Sequence, residues 1–343
     1  MAVTIRDVAD AAGVSFQLVS AVLGGRKYAR ASESTRTKIM EAARRLGYVP
    51  NTSARILRGD ASRIIGVLID SRAPESMYGV LAEIEHSADE LGYRILIAQA
   101  HDKPERLLQA YHSLKQNGVD GIISFSHDYA QFGCRLDSQF EDDPRIVFVL
   151  NTPEQTGSSV DVDYHGGMAQ ALTHLREQGY RSPALLMCGG CVDPVEKLTR
   201  SNKKRLEGFL RNCPGGDFFL LKPEISEIPR LYDECRKLIR EKLNPAGIDA
   251  IIAHNDDLAA LFLKALLAEK VRVPQDFGVI GFDNLPLGEY LPVTLSTLYY
   301  DKKELADSAL KILQDKIAGK SAPVRLSCQV KFIPRESSRR RQS

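Results

Sequence analysis

From Arg63 to about Gly281, short apolar runs alternate with stretches of helical periodicity, and this alternation leaves the chain few architectures. Ile64 to Ile69, Tyr93 to Ala98, Gly121 to Phe125 and Ile146 to Leu150 read as buried strands, with amphipathic helices over Met77 to Leu91 and Pro104 to Asn117. A second set runs helix Gly167 to Gln178, strand Ala184 to Met187, helix Lys203 to Arg211, strand Phe218 to Leu221 and helix Arg230 to Lys242. It continues with strand Ala250 to Ala253, helix Leu258 to Glu269 and strand Phe277 to Gly281. A strand that reaches the next strand through a helix returns parallel to it, so the pattern predicts parallel sheets with helices on both faces. Two such lobes accommodate this many strands better than one long sheet.

The first sixty residues follow a different rule. Ile5, Val8, Ala9 and Ala12 recur at helical spacing, Gly13 permits a turn that a Cβ would obstruct, and Ser15 can cap a second helix with Leu18, Val19, Val22 and Leu23 facing inward. This is an all-α helix-turn-helix pattern. Phe16, Gln17 and Ser20 are left on the outer face near the second helix's N-terminus, the part of such a helix that reaches base edges in the major groove. Ser32 opens a third helix, from Glu33 to about Leu46, that carries Arg36, Lys38, Arg44 and Arg45 and ends at Gly47. Pro50 then closes one segment, and Asn51 can cap a short fourth helix.

Charge divides the chain at the same place. Residues 1–62 hold ten Lys and Arg against five Asp and Glu, leaving 36 of the 46 basic and 39 of the 44 acidic residues to the remainder. A basic head on a mildly acidic body is the footprint of a phosphate-binding module attached to something with another task. With 343 residues, 43% apolar and 26% charged, that body has material for a sizeable core. Charges run throughout residues 1–30 and no apolar run reaches membrane-spanning length, so a cytoplasmic protein with no membrane partner is expected. The six cysteines are then reduced thiols. Cys188-Gly-Gly-Cys191 has C-x-x-C spacing but neither a second pair nor a nearby His, and His165 and His254 stand alone. No metal, cofactor or enzymatic activity is therefore expected.

Thr4-Ile-Arg-Asp-Val-Ala, Ala12-Gly-Val-Ser15, Val19-Ser20, Val22-Leu23, Thr35-Arg36, Leu46-Gly-Tyr48, Pro50-Asn51, Ala54-Arg55 and Leu57 closely resemble the lactose-repressor/galactose-repressor (LacI/GalR) family of bacterial transcription regulators. The resemblance implies that the fourth helix is a hinge lying in the minor groove, where Leu57 wedges into a base step, bends the duplex and lets two heads reach adjacent major grooves. Thr4, Ser15, Phe16, Gln17, Ser20, Lys27, Asn51, Arg55 and Leu57 are the candidate contacts to double-stranded operator DNA. Two positions depart from the family pattern: Leu18 stands where many relatives have Thr, and Ala21 where they often have Arg or His. The basic loop from Gly24 to Arg30 can take over phosphate contacts.

The body shares the family's landmarks as well, in Val119-Asp-Gly-Ile-Ile123, Arg205-Leu-Glu-Gly-Phe209, Asn255-Asp-Asp257, Val273-Pro-Gln-Asp276, Val279-Ile-Gly-Phe-Asp283, Leu295-Ser-Thr297 and Pro334-Arg-Glu-Ser-Ser338. It implies a two-lobed core similar to periplasmic sugar-binding proteins, with three crossovers and an effector in the cleft. In open α/β sheets ligands bind beyond the strands' carboxyl ends. Asp70, Ser71 and Arg72 follow the first strand, Ser126 the third, Asn151 the fourth, and Asn255 and Asp283 follow strands of the second lobe. The family pattern adds a basic residue before the Gly-Phe pair, Lys203 or Arg205. Carboxylate, amide and cation together suit a polyol or a purine, and the resemblance puts a carbohydrate first. Pro74-Glu-Ser-Met77 replaces the aromatic helix opening of many relatives and the chain has no Trp, so Tyr78 is left as a partial substitute.

The resulting plan has a helix-turn-helix head over 1–49, a hinge helix and linker over 50–62, and a core over 63–338. The N-lobe would take about 63–163 and 294–323, the C-lobe about 164–293 and 324–338, and residues 339–343 form a basic tail too short for a heptad. A homodimer on a pseudo-palindromic operator follows from the head's small reach. A DNA-binding regulator with a vestigial cleft and no effector is the alternative.

Overall fold

The computed structural model describes residues 3–24, 31–48, 61–71, 73–100, 104–125, 143–150, 157–188, 198–222, 226–243, 246–320 and 322–340. Lys27, Asn51, Arg55, Leu57, Arg72, Ser126 and Asn151 lie outside them, as does nearly all of the expected hinge. The chain forms two compact units, Met1–Ser62 and Arg63–Ser343.

The head contains α1 (Ile5–Ala12), α2 (Phe16–Leu23) and α3 (Glu33–Leu46), each opened by a hydroxyl cap. Thr4 Oγ1 accepts the Asp7 N–H while Asp7 accepts the Thr4 N–H at 2.7 Å, a reciprocal capping box that satisfies two donors. Gly13 and Gly47, both at φ 66°, end α1 and α3 in the left-handed conformation that glycine adopts without strain. Val8, Ala9, Val19, Val22, Ile39, Ala42 and Ala43 are buried at the centre. Leu18 and Leu23 are half-buried at its rim rather than inside it.

The larger unit carries two six-stranded sheets. The first is built from β1 (Ile64–Ile69), β2 (Arg94–Gln99), β3 (Gly121–Phe125), β4 (Ile146–Val149), β5 (Ser158–Val162) and β11 (Arg325–Cys328), in the order β11-β5-β4-β3-β1-β2. The second holds β6 (Pro183–Cys188), β7 (Phe218–Leu221), β8 (Ala250–Ala253), β9 (Gly278–Phe282), β10 (Ser296–Tyr300) and β12 (Val330–Ile333), ordered β12-β10-β9-β8-β6-β7. Within each lobe the first five strands run 2-1-3-4-5, and every pairing is parallel except β10 with β12. The topological switch points therefore lie between β1 and β3 and between β6 and β8.

Helices cover both faces, as the alternation predicts. In the first lobe α4 (Glu75–Glu90) and α11 (Lys302–Ile317) pack on one side and α5 (Pro104–Gln116) on the other. In the second, α6 (Tyr164–Glu177) and α7 (Arg200–Asn212) lie on one face, with α8 (Ile228–Leu238) and α9 (Asp256–Ala268) on the opposite one. A short α10 (Leu287–Tyr290) follows β9. α8 was expected to run unbroken to Lys242, but it passes into a π-turn at Ile239–Leu243. Among the described residues no helix is long and apolar enough to cross a membrane.

The chain passes between lobes near Asp163, Asp301 and Gln329. Asp163 and Asp301 each cap the helix that begins in the new lobe: Asp163 accepts from Gly166 N at 2.9 Å, and Asp301 from Lys303 N at 3.0 Å. The expected lobe division at 294 and 323 is corrected by one strand at two crossovers. Ser296–Tyr300 pairs with β9 and β12 in the second sheet, whereas Arg325–Cys328 pairs with β5 in the first. Strands of four or five residues have no periodicity that distinguishes one sheet from the other, so only the pairing decides.

Candidate DNA-reading head and effector cleft

On the head, Ser15 Oγ accepts the Leu18 N–H at 3.3 Å, which fixes the start of α2 and turns its first residues outward. Phe16 is 45% exposed and Gln17 is exposed, whereas Ser20 is half-buried. Thr4 is exposed but already engaged in the capping box. Lys38, Arg44 and Arg45 are exposed along α3.

In the larger unit the polar groups gather where strands end. Asp283 follows β9 with φ 108°, a conformation costly for any residue with a Cβ, and its N–H donates to Leu298 O at 2.8 Å. Its carboxylate is buried and accepts a hydrogen bond from Ser76. Ser76 lies in the first turn of α4, so this bond joins the two lobes. Burial pushes the Asp283 carboxyl up to about 6 despite the opposing pull of Arg205 and Lys302.

The neighbouring Asp256 is fully buried and holds the loop in shape. It accepts Leu285 N at 2.7 Å and Thr297 Oγ1 at 2.7 Å, and burial pushes it up to about 7. Asn255 spends its side-chain oxygen on Leu258 N at 3.0 Å as the cap of α9. This cap explains why α9 starts two residues before the apolar periodicity does.

Of the two cations in the family pattern, Arg205 joins this cluster. It is 7% exposed, and its guanidinium lies 4.5 Å from the Tyr164 ring centroid and 4.7 Å from that of Phe282. Lys203 is half-buried. Asp70 and Ser71 are half-buried behind β1, where their carbonyls accept the Tyr78 hydroxyl at 3.2 Å each. Tyr78 thus anchors the β1–α4 loop, and the aromatic faces in the cluster are Tyr164 and Phe282 instead.

Three residues that the motifs did not single out belong to the same region. Lys204 on α7 forms an ion pair with Asp161 on β5, a second link between lobes. His254 immediately follows β8, beside the second lobe's switch point, and its Nδ1 accepts the Cys188 N–H at 3.2 Å. Burial, reinforced by Arg205, pushes His254 down to about 3, so the imidazole is neutral with its proton on Nε2. Position after a strand was the one signal that marked it, and the same rule picked Asn255. Among the described residues no group of three or more His, Cys, Asp or Glu side chains could hold a metal ion.

A helix-turn-helix head on a two-lobed body of periplasmic-binding architecture defines a DNA-binding transcription regulator. Residues 4–51 match the model for bacterial regulatory proteins of the lacI family, and residues 172–338 match that for a periplasmic binding protein-like domain. The HTH-type transcriptional regulator DegA of Bacillus subtilis (strain 168) is 31% identical over 315 residues, covering 89% of this chain and 88% of the relative. Among solved structures, the lac repressor dimer bound to operator and the anti-inducer ONPF superposes with a TM-score of 0.83 at 25% identity, over 99% of this chain and all of that one (100%). The transcriptional regulator CelR–cellobiose complex gives a TM-score of 0.65 at 25% identity over 98% of this chain and 99% of that one. The chain belongs to the lacI family of bacterial regulatory proteins, and it is a DNA-binding repressor rather than an enzyme.

Proposed function

We propose that this repressor binds a pseudo-palindromic operator as a homodimer and responds to a small polar effector of the carbohydrate class held between the lobes. The observation that carries the reading is the hydrogen bond from Ser76 of the first lobe to Asp283 of the second, set among Arg205, Tyr164 and Phe282. Groups at the strand ends of both lobes meet there, so a ligand that inserts among them favours one degree of closure over another. Lobe position then biases how two hinge segments, one per protomer, present Leu57 and the heads to DNA. The carbohydrate assignment draws on the cellobiose complex of the CelR relative.

Dimer formation has its own support in the core. The apolar groove of about 680 Å³ lined by Ile228, Ala260, Leu261, Leu267, Leu291 and Pro292 opens beside Tyr290, which is 82% exposed. Ile97 on the edge strand β2 is 49% exposed. Apolar surface of this kind suits a second copy of the chain, and the lac repressor structure that this chain resembles is a dimer. In the head, Phe16 and Gln17 take the base-reading role while Thr4, Ser15, Ser20, Lys27, Asn51 and Arg55 position the backbone.

A vestigial cleft is the second reading, and it is favoured by Pro74-Glu-Ser-Met77 standing where many relatives open this helix with aromatic residues. Asp283→Ala separates the two. With an effector, the variant loses ligand response in an operator-binding titration while operator affinity without ligand is retained. A variant that still responds normally removes Asp283 from the site, and a wild-type protein indifferent to sugars and purines favours the vestigial cleft.

A further inference from the structure

Two residues of the first lobe break a local rule, and each explains the other. Gly79 lies in the interior of α4, where glycine destabilises a helix relative to alanine. Lys302 opens α11, and a cation in a helix's first turn opposes the helix dipole. A Cβ on Gly79 would stand 3.0 Å from Lys302 Nζ, 3.1 Å from its Cδ and 3.3 Å from its Cε, so the lysine side chain lies along α4 in a notch that glycine leaves open. Departures of this kind gather where function requires them.

The notch aims the ammonium. Ser76 and Gly79 are three residues apart on α4 and share a face of that helix. Ser76 donates its hydroxyl to Asp283 of the second lobe, so the Lys302 ammonium sits about one helical turn from that bond, and its charge acts on the Asp283 carboxylate. The charged groups around this carboxylate are Arg205 of α7, Lys302 of α11 and Asp257 of α9. Asp256, Tyr164 and Tyr300 also lie within its electrostatic reach. Arg205 belongs to the same lobe as Asp283, whereas Lys302 reaches it from the other one.

We infer that Lys302 is the first lobe's positioning residue in the cleft: laid over the Gly79 notch, it presents an ammonium to Asp283 across the lobe boundary and holds that carboxylate as the acceptor that a hydroxyl ligand needs. The part concerning a ligand rests on the proposal that the cleft binds a polyol; the coupling of Lys302 to Asp283 does not. Burial favours the protonated acid, which accepts more weakly, and an opposing cation restores the anion.

Carbon-13 magnetic resonance of the full-length protein, labelled at its aspartate carboxyl carbons and assigned with Asp283→Asn, tests the coupling without any ligand. Lys302→Met keeps the length of the side chain and removes its charge, and the Asp283 titration moves upward by about half a pH unit or more. Gly79→Ala keeps the charge but fills the notch, displacing the flexible end of Lys302, and moves the titration in the same direction by less. Lys302→Arg, which keeps the charge, leaves it closer to wild type than Lys302→Met does. Isothermal titration with cellobiose, D-glucose and D-galactose then reads the consequence. At pH 6 the ionised fraction of Asp283 falls from about one half to about one quarter, so Lys302→Met weakens a bound sugar about twofold or more, and the loss narrows at pH 8 where Asp283 is ionised in both proteins. An Asp283 titration unmoved in Lys302→Met overturns the inference whatever the sugars do. Equal loss of sugar affinity at both pH values also overturns it, since Lys302 then acts other than through Asp283. If none of the three sugars binds the wild type, the carbohydrate reading is what fails, and the ligand-free titration alone decides the role of Lys302.

Discussion

Replacing Asp256 with asparagine isolates the stability that one buried carboxyl costs the second lobe. Asp256 is 1% exposed and its carboxyl is raised from 3.8 to about 7, mainly by burial. Because the folded value lies above the unfolded one, the native state holds the proton where the unfolded chain has released it, and stability falls as pH rises towards the folded value. At 1.36 kcal/mol per pH unit the full effect is about 4 kcal/mol, of which about 2.5 kcal/mol is lost between pH 5 and pH 8. Above pH 7 the loss levels off. Asparagine fits the same bonds: its oxygen accepts Leu285 N, its NH2 donates to Thr297 Oγ1, and that hydroxyl retains Leu298 O as acceptor at 3.2 Å. Urea unfolding followed by far-ultraviolet circular dichroism at half-unit steps from pH 5 to pH 8 measures the difference. Asp283, also raised, adds a loss of the same sign below about pH 6 in both proteins. The account predicts that the Asp256→Asn protein gains about 2.5 kcal/mol on the wild type across that range. Parallel stability curves would refute the reasoning.

Ile39→Ala removes a fully buried side chain from a head core of seven buried residues, so the head loses about 2–5 kcal/mol and operator binding becomes strongly temperature-dependent. Fluorescence anisotropy between 10 and about 37 °C reads this range of order, and an unchanged profile contradicts the packing argument. Gln17→Ala relaxes preference at one symmetric pair of base positions, worth about 1–3 kcal/mol, and sequencing of selected DNA detects it; an unaltered preference means that Gln17 reads no base. Leu57→Ala, outside the described residues, reduces operator bending in a gel-phasing assay, and undiminished bending removes it as the wedge.

The head was legible because its instructions are local. Ser15 and Ser32 cap within three residues of themselves, and Gly13 and Gly47 announce the left-handed turn or the helix end they form. The parallel lobes were legible from buried runs such as Ile146–Val149, which no surface strand would carry. What the sequence hid depends on partners far along the chain. Ser158–Val162 is polar in composition yet mostly buried, because β4 and β11 flank it. The crossover strands β10, β11 and β12 differ in which sheet they join, and α11 leaves no mark of its lobe in its own periodicity. In the cleft, Arg205 and Asp283 follow from motif and strand end; His254 also follows a strand, where Asn255 was picked instead, and Ser76 carries neither signal. Ser76 reaches Asp283 across 207 positions, read directly from their numbers, and His254 acquires its tautomer from a backbone N–H 66 residues away.

Affinity selection from random duplex DNA at near-physiological salt, followed by sequencing, tests the central claim most directly, since non-specific phosphate binding is suppressed there. The account predicts enrichment of a two-fold symmetric sequence with a readily kinked central step, bound by two copies of the chain, and a changed affinity for it once the effector is added. Recovery of DNA with no shared sequence, with and without candidate effectors, would contradict it.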